Sequence, residues 1–282
     1  MREEGFNRQG NRKKQAEDLD TLDGLVERWE SKTEEKIRRK IEVMIRRANH
    51  AQHCANYVGA TEIANEAIDL AHEHNLADLE TSIRCELGFI YVRQGKYESA
   101  LNSLQTIQLP IEAREMSHLE ARIANVLGII FFEMGRYDEA QPQLDRALLG
   151  FRHHDALIDE AGIYGNRSLI YLNRNQYAEA QVECKRALKI FEAVGHRRGY
   201  SNAVETLGSL SVGHGDFSSA LTHYERAAHV KQEIDDAYGV SVVNVNIGFT
   251  YLRMGAAGHA RPYLDESIQF GRNSGAMLPL CY

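Results

Sequence analysis

Apolar, aromatic and small residues recur along this chain at a fixed interval of 40. An alanine stands at Ala60, Ala100, Ala140, Ala180, Ala220 and Ala260, with no insertion or deletion between copies. Three residues before them stand Tyr57, Tyr97, Tyr137, Tyr177, Phe217 and Ala257; twelve before them stand Ala48, Gly88, Gly128, Ser168, Gly208 and Gly248. A fixed period of about 20–50 residues marks a stacked-repeat protein, in which each unit touches only its neighbours. The pattern predicts two helices per repeat, A and B. The alanines fall at the start of helix B, where it should cross helix A and a larger side chain would overpack the crossing. A mid-helix glycine costs about 1 kcal/mol against alanine. Its recurrence in helix A therefore argues for close helix approach. Gly95, Gly135, Gly215 and Gly255, with Asn175, fall at the end of helix A, where a left-handed cap favours Gly or Asn. Pro142 and Pro262 share one repeat position, read as the first turn of helix B. Gly195, Gly199 and Gly239 read as turns between repeats, and residues 109–116 as the least regular connection.

The flanks divide differently. Residues 1–18 are too polar to offset their ordering entropy and are expected to be a disordered tail. Residues 19–33 carry Leu19, Leu22, Leu25, Val26 and Trp29 at helical spacing, which predicts an N-terminal helix capping the open end of the array. Ser31-x-x-Glu34 fits a capping box for a helix over 34–55. That helix has Ile37, Ile41, Met44, Ile45 and Ala48 on one face. Its other face bears Lys36, Arg38, Arg39, Lys40, Arg46 and Arg47, interleaved with Glu34, Glu35 and Glu42 at pairing distances. The array fills 34–282, as six 40-residue repeats and the start of a seventh near Pro279. Such an end suggests either a longer protein or a shortened last helix.

Leu87, Gly88, Tyr91, Gly95, Tyr97, Ala100 and Leu104 resemble the tetratricopeptide (TPR) motif, and Leu127 to Ala147 repeats the resemblance. It covers roughly 34–278. The usual TPR period is about 34; a period of 40 is similar to kinesin light chains, Leu-Gly-Asn repeat scaffolds and bacterial TPR regulators. The resemblance implies an all-α fold, a right-handed superhelical solenoid of about six helix-turn-helix repeats with an N-terminal capping helix. It also implies a concave groove that binds a protein or peptide.

Net charge is −7 with a pI near 6.0, which speaks against a nucleic-acid or anionic-membrane partner. Residues 1–50 carry 13 Lys and Arg against 11 Asp and Glu, so the excess acid lies in the rest of the array. No run of about 18 apolar residues could span a membrane. Cys54, Cys85, Cys184 and Cys281 form no Cys-x-x-Cys pair and suit reduced thiols in a cytoplasmic setting. Phosphate-loop, dinucleotide, zincin and nucleophile-elbow patterns are all missing. His50 and His53 lie beside Cys54 at metal-compatible spacing, but no second cluster matches. His72-Glu73-His74 has the wrong spacing for one helical face. No catalytic constellation, metal or cofactor is expected, and no enzyme.

The resemblance also locates the groove. Transferred residue by residue, the inner face of helix A takes Arg122, Asn125, Asn166, Asn202, Glu205, Thr206 and Asn246 as polar members. Phe89, Phe132, Leu169, Leu172, Phe249 and Leu252 are the apolar ones, and Arg93 and Arg253 sit nearby. An asparagine offers both donor and acceptor, so an Asn ladder can hold a peptide backbone without regard to its sequence. It can equally bridge neighbouring A helices. Arg93, Arg122 and Arg253 would favour an acidic segment. Ile45, Asn49, Glu86, Arg122 and Val126 do not reproduce the carboxylate clamp of TPR co-chaperones. Two readings follow: a peptide-binding scaffold or regulatory module, or the sensor portion of a longer signalling enzyme or transcription regulator.

Overall fold

The structure, a computed structural model, describes residues 12–27, 33–105, 107 and 118–274. Trp29, Ser31, Pro279, residues 1–11 of the expected tail and the 109–116 connection lie outside them. Thirteen helices and no strand occur among the described residues. They are α1 (Arg12–Glu27), α2 (Thr33–His53), α3 (Tyr57–Glu73), α4 (Ala77–Arg93), α5 (Tyr97–Gln105), α6 (His118–Glu133) and α7 (Tyr137–His153). Then follow α8 (Leu157–Asn173), α9 (Tyr177–Ala193), α10 (Arg197–Gly213), α11 (Phe217–Glu233), α12 (Ala237–Arg253) and α13 (Ala257–Ser274).

From α2 onward the helices pair as A and B, six times. Each packs on the next in the chain, and each A helix also packs on the following A helix. The A helices therefore line the inner, concave side of the solenoid and the B helices its outer side.

The joints explain the regularity. Helices recur every 20 residues, half the sequence period, because every described joint has the same short turn. Its middle residue is left-handed: Ala55, Asn75, Gly95, Gly135, Asp155, Asn175, Gly195, Gly215, Asp235 and Gly255. Beyond each, an N–H closes back onto the helix just ended, as in Asn56 to Ala51 O at 2.9 Å and Arg136 to Phe131 O at 2.8 Å. This is a Schellman cap, which satisfies orphan carbonyls. Ala55 is the one alanine in the set, at φ 59°. A left-handed alanine costs about 1–2 kcal/mol, partly offset by the entropy a glycine would lose. Ala55→Gly should therefore raise the urea midpoint, by roughly 0.5–1 kcal/mol of stability. An unchanged or lower midpoint would contradict it.

Gly199 and Gly239 are not turns, as the sequence suggested. Each is the third residue of its helix, with its N–H given to the cap before it: Gly199 to His196 Nδ1 at 3.1 Å, Gly239 to Asp236 Oδ1 at 3.0 Å. A Cβ on Gly199 would stand 2.4 Å from the Phe191 ring. Close approach, not turn chemistry, selects glycine there. Pro142 and Pro262 also lie deeper than the first turn, each as the sixth residue of its helix. Each therefore removes one backbone hydrogen bond that the helix could have made.

The repeated small residues do what their spacing implied. A Cβ on Gly128 would meet Leu144 at 2.6 Å, on Gly208 Tyr224 at 2.6 Å, and on Gly248 Leu264 at 2.6 Å. Ser168 at the same position is wholly buried and gives its hydroxyl to Ala180 O at 2.8 Å. Cys184 is buried too and points its thiol at Ala203 O, 3.2 Å away; burial pushes its pKa up to about 12.

At the N-terminal end α1 packs on α2. Leu19 and Val26 are buried, and Arg47 reaches Asp20 at 2.7 Å and Asp23 at 3.2 Å. The helix begins at Arg12, upstream of the expected 19, because the Arg, Lys, Gln, Ala and Glu over 12–18 are good helix formers. Leu25 is 58% exposed, so it does not belong to the buried stripe.

Candidate functional site

The inner face is built by α4, α6, α8, α10 and α12. Side chains one repeat apart meet across it, and the meetings are mostly polar. Arg122 donates to Ser82 Oγ at 2.6 Å and Glu86 Oε1 at 2.7 Å, both on α4. Burial holds the Glu86 carboxyl above the usual range, with Arg122 and Asn49 working against it. Asn166 donates to Asn125 Oδ1 at 3.2 Å. Asn246 donates to Glu205 Oε1 at 2.9 Å. Asn202 accepts from the ammonium of Lys231, which also lies 3.2 Å from Glu205. Each of the four asparagines is thus engaged with another side chain, Asn125, Asn166 and Asn246 across repeats and Asn202 within its own. Arg122 is likewise engaged, which leaves it poorly placed to select an acidic segment.

Two cavities open on this face. The first, about 240 Å³, is lined by Phe89, Val92, Arg93, Tyr97, Ile129, Phe132, Glu133, Asn166 and Leu169. The second, about 220 Å³, lies between α8 and α10, where Gly162 and Gly165 leave room beside Asn166, Leu169, Asn202, Glu205 and Thr206. Asn166 and Leu169 belong to both cavities. Of the expected residues, Phe89, Arg93, Phe132, Asn166, Leu169, Asn202 and Glu205 therefore come together around two adjoining hollows. Arg122 and Asn125 lie on the same face but line neither. Phe249 and Arg253 stand apart at the far end. Arg253 reaches Val212 O at 3.5 Å and lies 5.3 Å over the Phe217 ring.

One member of the first cavity comes from elsewhere. Tyr238, near the start of α12, completes its lining, with the Arg93 guanidinium 4.1 Å over its ring. His53 and Arg198 also touch, joining the first repeat to the fifth. The superhelix thus turns far enough for its C-terminal arm to meet its N-terminal arm across the groove. Behind Tyr238 sits Asp236, whose carboxylate caps α12 and lies 3.6 Å from Arg198. Burial works to raise its pKa, but Arg198, Lys231 and Arg93 outweigh that and hold it below the usual range. Glu133, at the edge of the cavity, is held up by burial against the pull of Arg93.

Sequence reasoning missed Tyr238, Lys231 and Asp236. A linear period says which residues are equivalent but not how tightly the solenoid coils, so contact between the second and sixth repeats was out of reach. Lys231 did carry a signal. It occupies the repeat position of Phe151 and Phe191, both buried, and a lysine at a core position calls for a buried partner.

Candidate chemistry elsewhere resolves into ordinary contacts. His50 Nδ1 lies 3.3 Å from Gln15 and its Nε2 3.6 Å from Cys54 Sγ, while His53 Nδ1 lies 2.6 Å from Asn49 O. No group of three or more His, Cys, Asp or Glu among the described residues could hold a metal. No described helix is long and apolar enough to cross a membrane.

The architecture is that of a tetratricopeptide-type solenoid. Residues 161–193, spanning α8 and α9, match the family model described as Tetratricopeptide repeat. No curated protein sequence matches the chain. Solved structures do. The apo form of RapI superposes with a TM-score of 0.66 at 15% identity, over 91% of this chain and 89% of that one. A Rap protein complexed with Competence and Sporulation Factor gives 0.62 at 14% identity, over 83% of this chain and 66% of that one. The STAND protein with a tetratricopeptide repeat sensor from Pyrococcus horikoshii gives 0.59 at 13% identity. That match covers 88% of this chain and 42% of the other, so the chain spans under half of that protein. At these identities the likeness is one of fold.

Proposed function

We propose that the chain is a protein- or peptide-binding module that receives an extended segment in its concave groove. The observation that carries this reading is the pair of adjoining cavities sharing Asn166 and Leu169. They give an apolar seat under α4, α6 and α8 and a second seat under α8 and α10, with amide and carboxylate groups between them. Apolar hollows with a few convergent polar groups suit side-chain anchors flanked by backbone hydrogen bonds. The Rap protein solved with Competence and Sporulation Factor supports a bound factor on this fold. The reading assigns no reaction, cofactor or nucleic acid to the chain, and sets it in the cytosol on its cysteine usage. A second reading makes the same groove the sensor of a longer signalling protein; the P. horikoshii neighbour, described as carrying a repeat sensor, favours it.

The test is to pan a random peptide library, displayed on phage, against the immobilised protein. Synthetic copies of enriched peptides should lose at least tenfold in affinity for Leu169→Arg and for Asn125→Ala/Asn166→Ala, with melting midpoints close to wild type. Equal binding by the folded Leu169→Arg variant would remove the groove from the account.

A further inference from the structure

Arg93 belongs to the N-terminal arm, and what it holds now is a ring and a carboxylate from the opposite arm. Tyr238 lies under its guanidinium at 4.1 Å and completes the first cavity. The Asp236 carboxylate is near enough for Arg93 to help hold it ionised. Beside them, the side chain of Tyr57 is 2% exposed, and its hydroxyl makes no hydrogen bond. That hydroxyl feels Arg93, Tyr238 and Asp236, which places it at the same junction. A buried phenol without an acceptor is a cost that a folded chain seldom carries for no reason. What the junction lacks is an acceptor for that hydroxyl, since Arg93 already bonds the Tyr238 oxygen.

We propose that this junction is the specificity seat of the groove, and that it takes a peptide segment presenting a carboxylate next to an aromatic ring. The chain's own Asp236 and Tyr238 hold the seat until such a segment displaces them. The ligand's ring takes the place of the Tyr238 ring on Arg93 and against Phe89 and Phe132. Its carboxylate accepts the Tyr57 hydroxyl hydrogen bond and pairs with Arg93, freeing Asp236 to stay with Arg198. Charge complementarity selects the partner: the cations facing the rest of the groove, Arg122 and Lys231, are already matched by Glu86 and Glu205, whereas Arg93 has beside it Glu133, whose ionisation burial opposes, and otherwise Tyr238 and Asp236 across the gap between the arms. Because Tyr238 competes for the seat, observed affinity is the intrinsic affinity scaled by the fraction of molecules with the seat open.

This inference rests on the groove being a peptide site, and its test separates the two. The same phage-displayed random library is panned on wild type and on Tyr238→Ala. Peptides enriched on Tyr238→Ala should carry Asp or Glu adjacent to Phe, Tyr or Trp. Synthetic copies should bind Tyr238→Ala about tenfold more tightly than wild type by fluorescence anisotropy, the scale of one desolvated cation–π contact. In the Tyr238→Ala background, Tyr57→Phe should cost about tenfold in affinity, the scale of one hydrogen bond to a charged group, without lowering the melting midpoint. A merely structural Tyr57 would leave affinity unmoved. Enriched peptides without the acid–ring pair, or equal affinity for the Tyr57→Phe variant, would overturn this seat. If such peptides still lose affinity for Leu169→Arg, the groove reading survives. Enrichment on neither protein would sink both.

Discussion

Ala140→Leu and Ala180→Leu are each expected to lower the melting midpoint, by roughly 1–3 kcal/mol of stability. For an array of this size that is on the order of 2–9 °C. Both alanines are wholly buried early in a B helix, at its crossing with the A helix of its own repeat. At the first crossing a Cβ on Gly128 would lie 2.6 Å from Leu144 and 3.4 Å from the carbonyl of Ala140 itself. At the second, Ser168 donates its hydroxyl to the carbonyl of Ala180 at 2.8 Å. Backbone thus faces side chain with no slack, and an isobutyl group can enter only by driving the helices apart. The two sites sit in different core clusters, so the double variant should lose close to the sum of the two. Alanine replaced by serine at the same positions serves as the size control. Midpoints at wild-type values for both leucine variants would mean that the A/B crossing lies elsewhere.

How much of this was legible in sequence follows from what a repeat can encode. The alanine and glycine ladders, the six helix pairs and the left-handed joints after helix A are local features copied in every unit, and they reappear where the period put them. The second set of joints, at Asn75, Asp155, Gly195 and Asp235, was less visible. It uses Asn, Asp and Gly interchangeably, so no single residue type marks that position. Gly199 and Gly239 were misread for a related reason: glycine is chosen there for the neighbouring Phe191 or for Lys231 and Asp236, and sequence does not separate a close approach from a turn. In the groove, the asparagines named from the resemblance lie on the A helices. Their hydrogen bonds to Asn125, Glu205 and Lys231 follow from the packing distance between A helices, which only the assembled solenoid supplies. The contact of Arg93 with Tyr238 depends on the pitch of the whole superhelix and had no sequence signature at all.

Lys231→Met should destabilise the protein by about 3 kcal/mol, the lower end of what removing one partner of a buried ion pair costs. Lys231 is 2% exposed, at the repeat position that Ala71, Phe151 and Phe191, all buried, hold in other repeats. It projects from α11, on the outer layer, and its ammonium ends on the inner face, at Asn202 Oδ1 and 3.2 Å from Glu205 Oε2. Methionine matches the length and apolar stem of lysine, so packing is largely kept and the loss isolates the charge. What remains is Glu205 with its side chain 16% exposed and no cation, and Asp236 with one fewer. The hydrogen bond from Asn246 to Glu205 survives and softens the penalty, which is why the lower end is expected. Adding Glu205→Gln should then restore much of the loss, because a neutral amide no longer needs a cation and can still accept from Asn246. Urea denaturation with unchanged slope would measure these two variants and the Glu205→Gln single variant, and give the coupling between the two sites. A single Lys231→Met variant as stable as wild type, or a double variant no better than the single, would show that the buried pair holds neither α10 nor α11 in place.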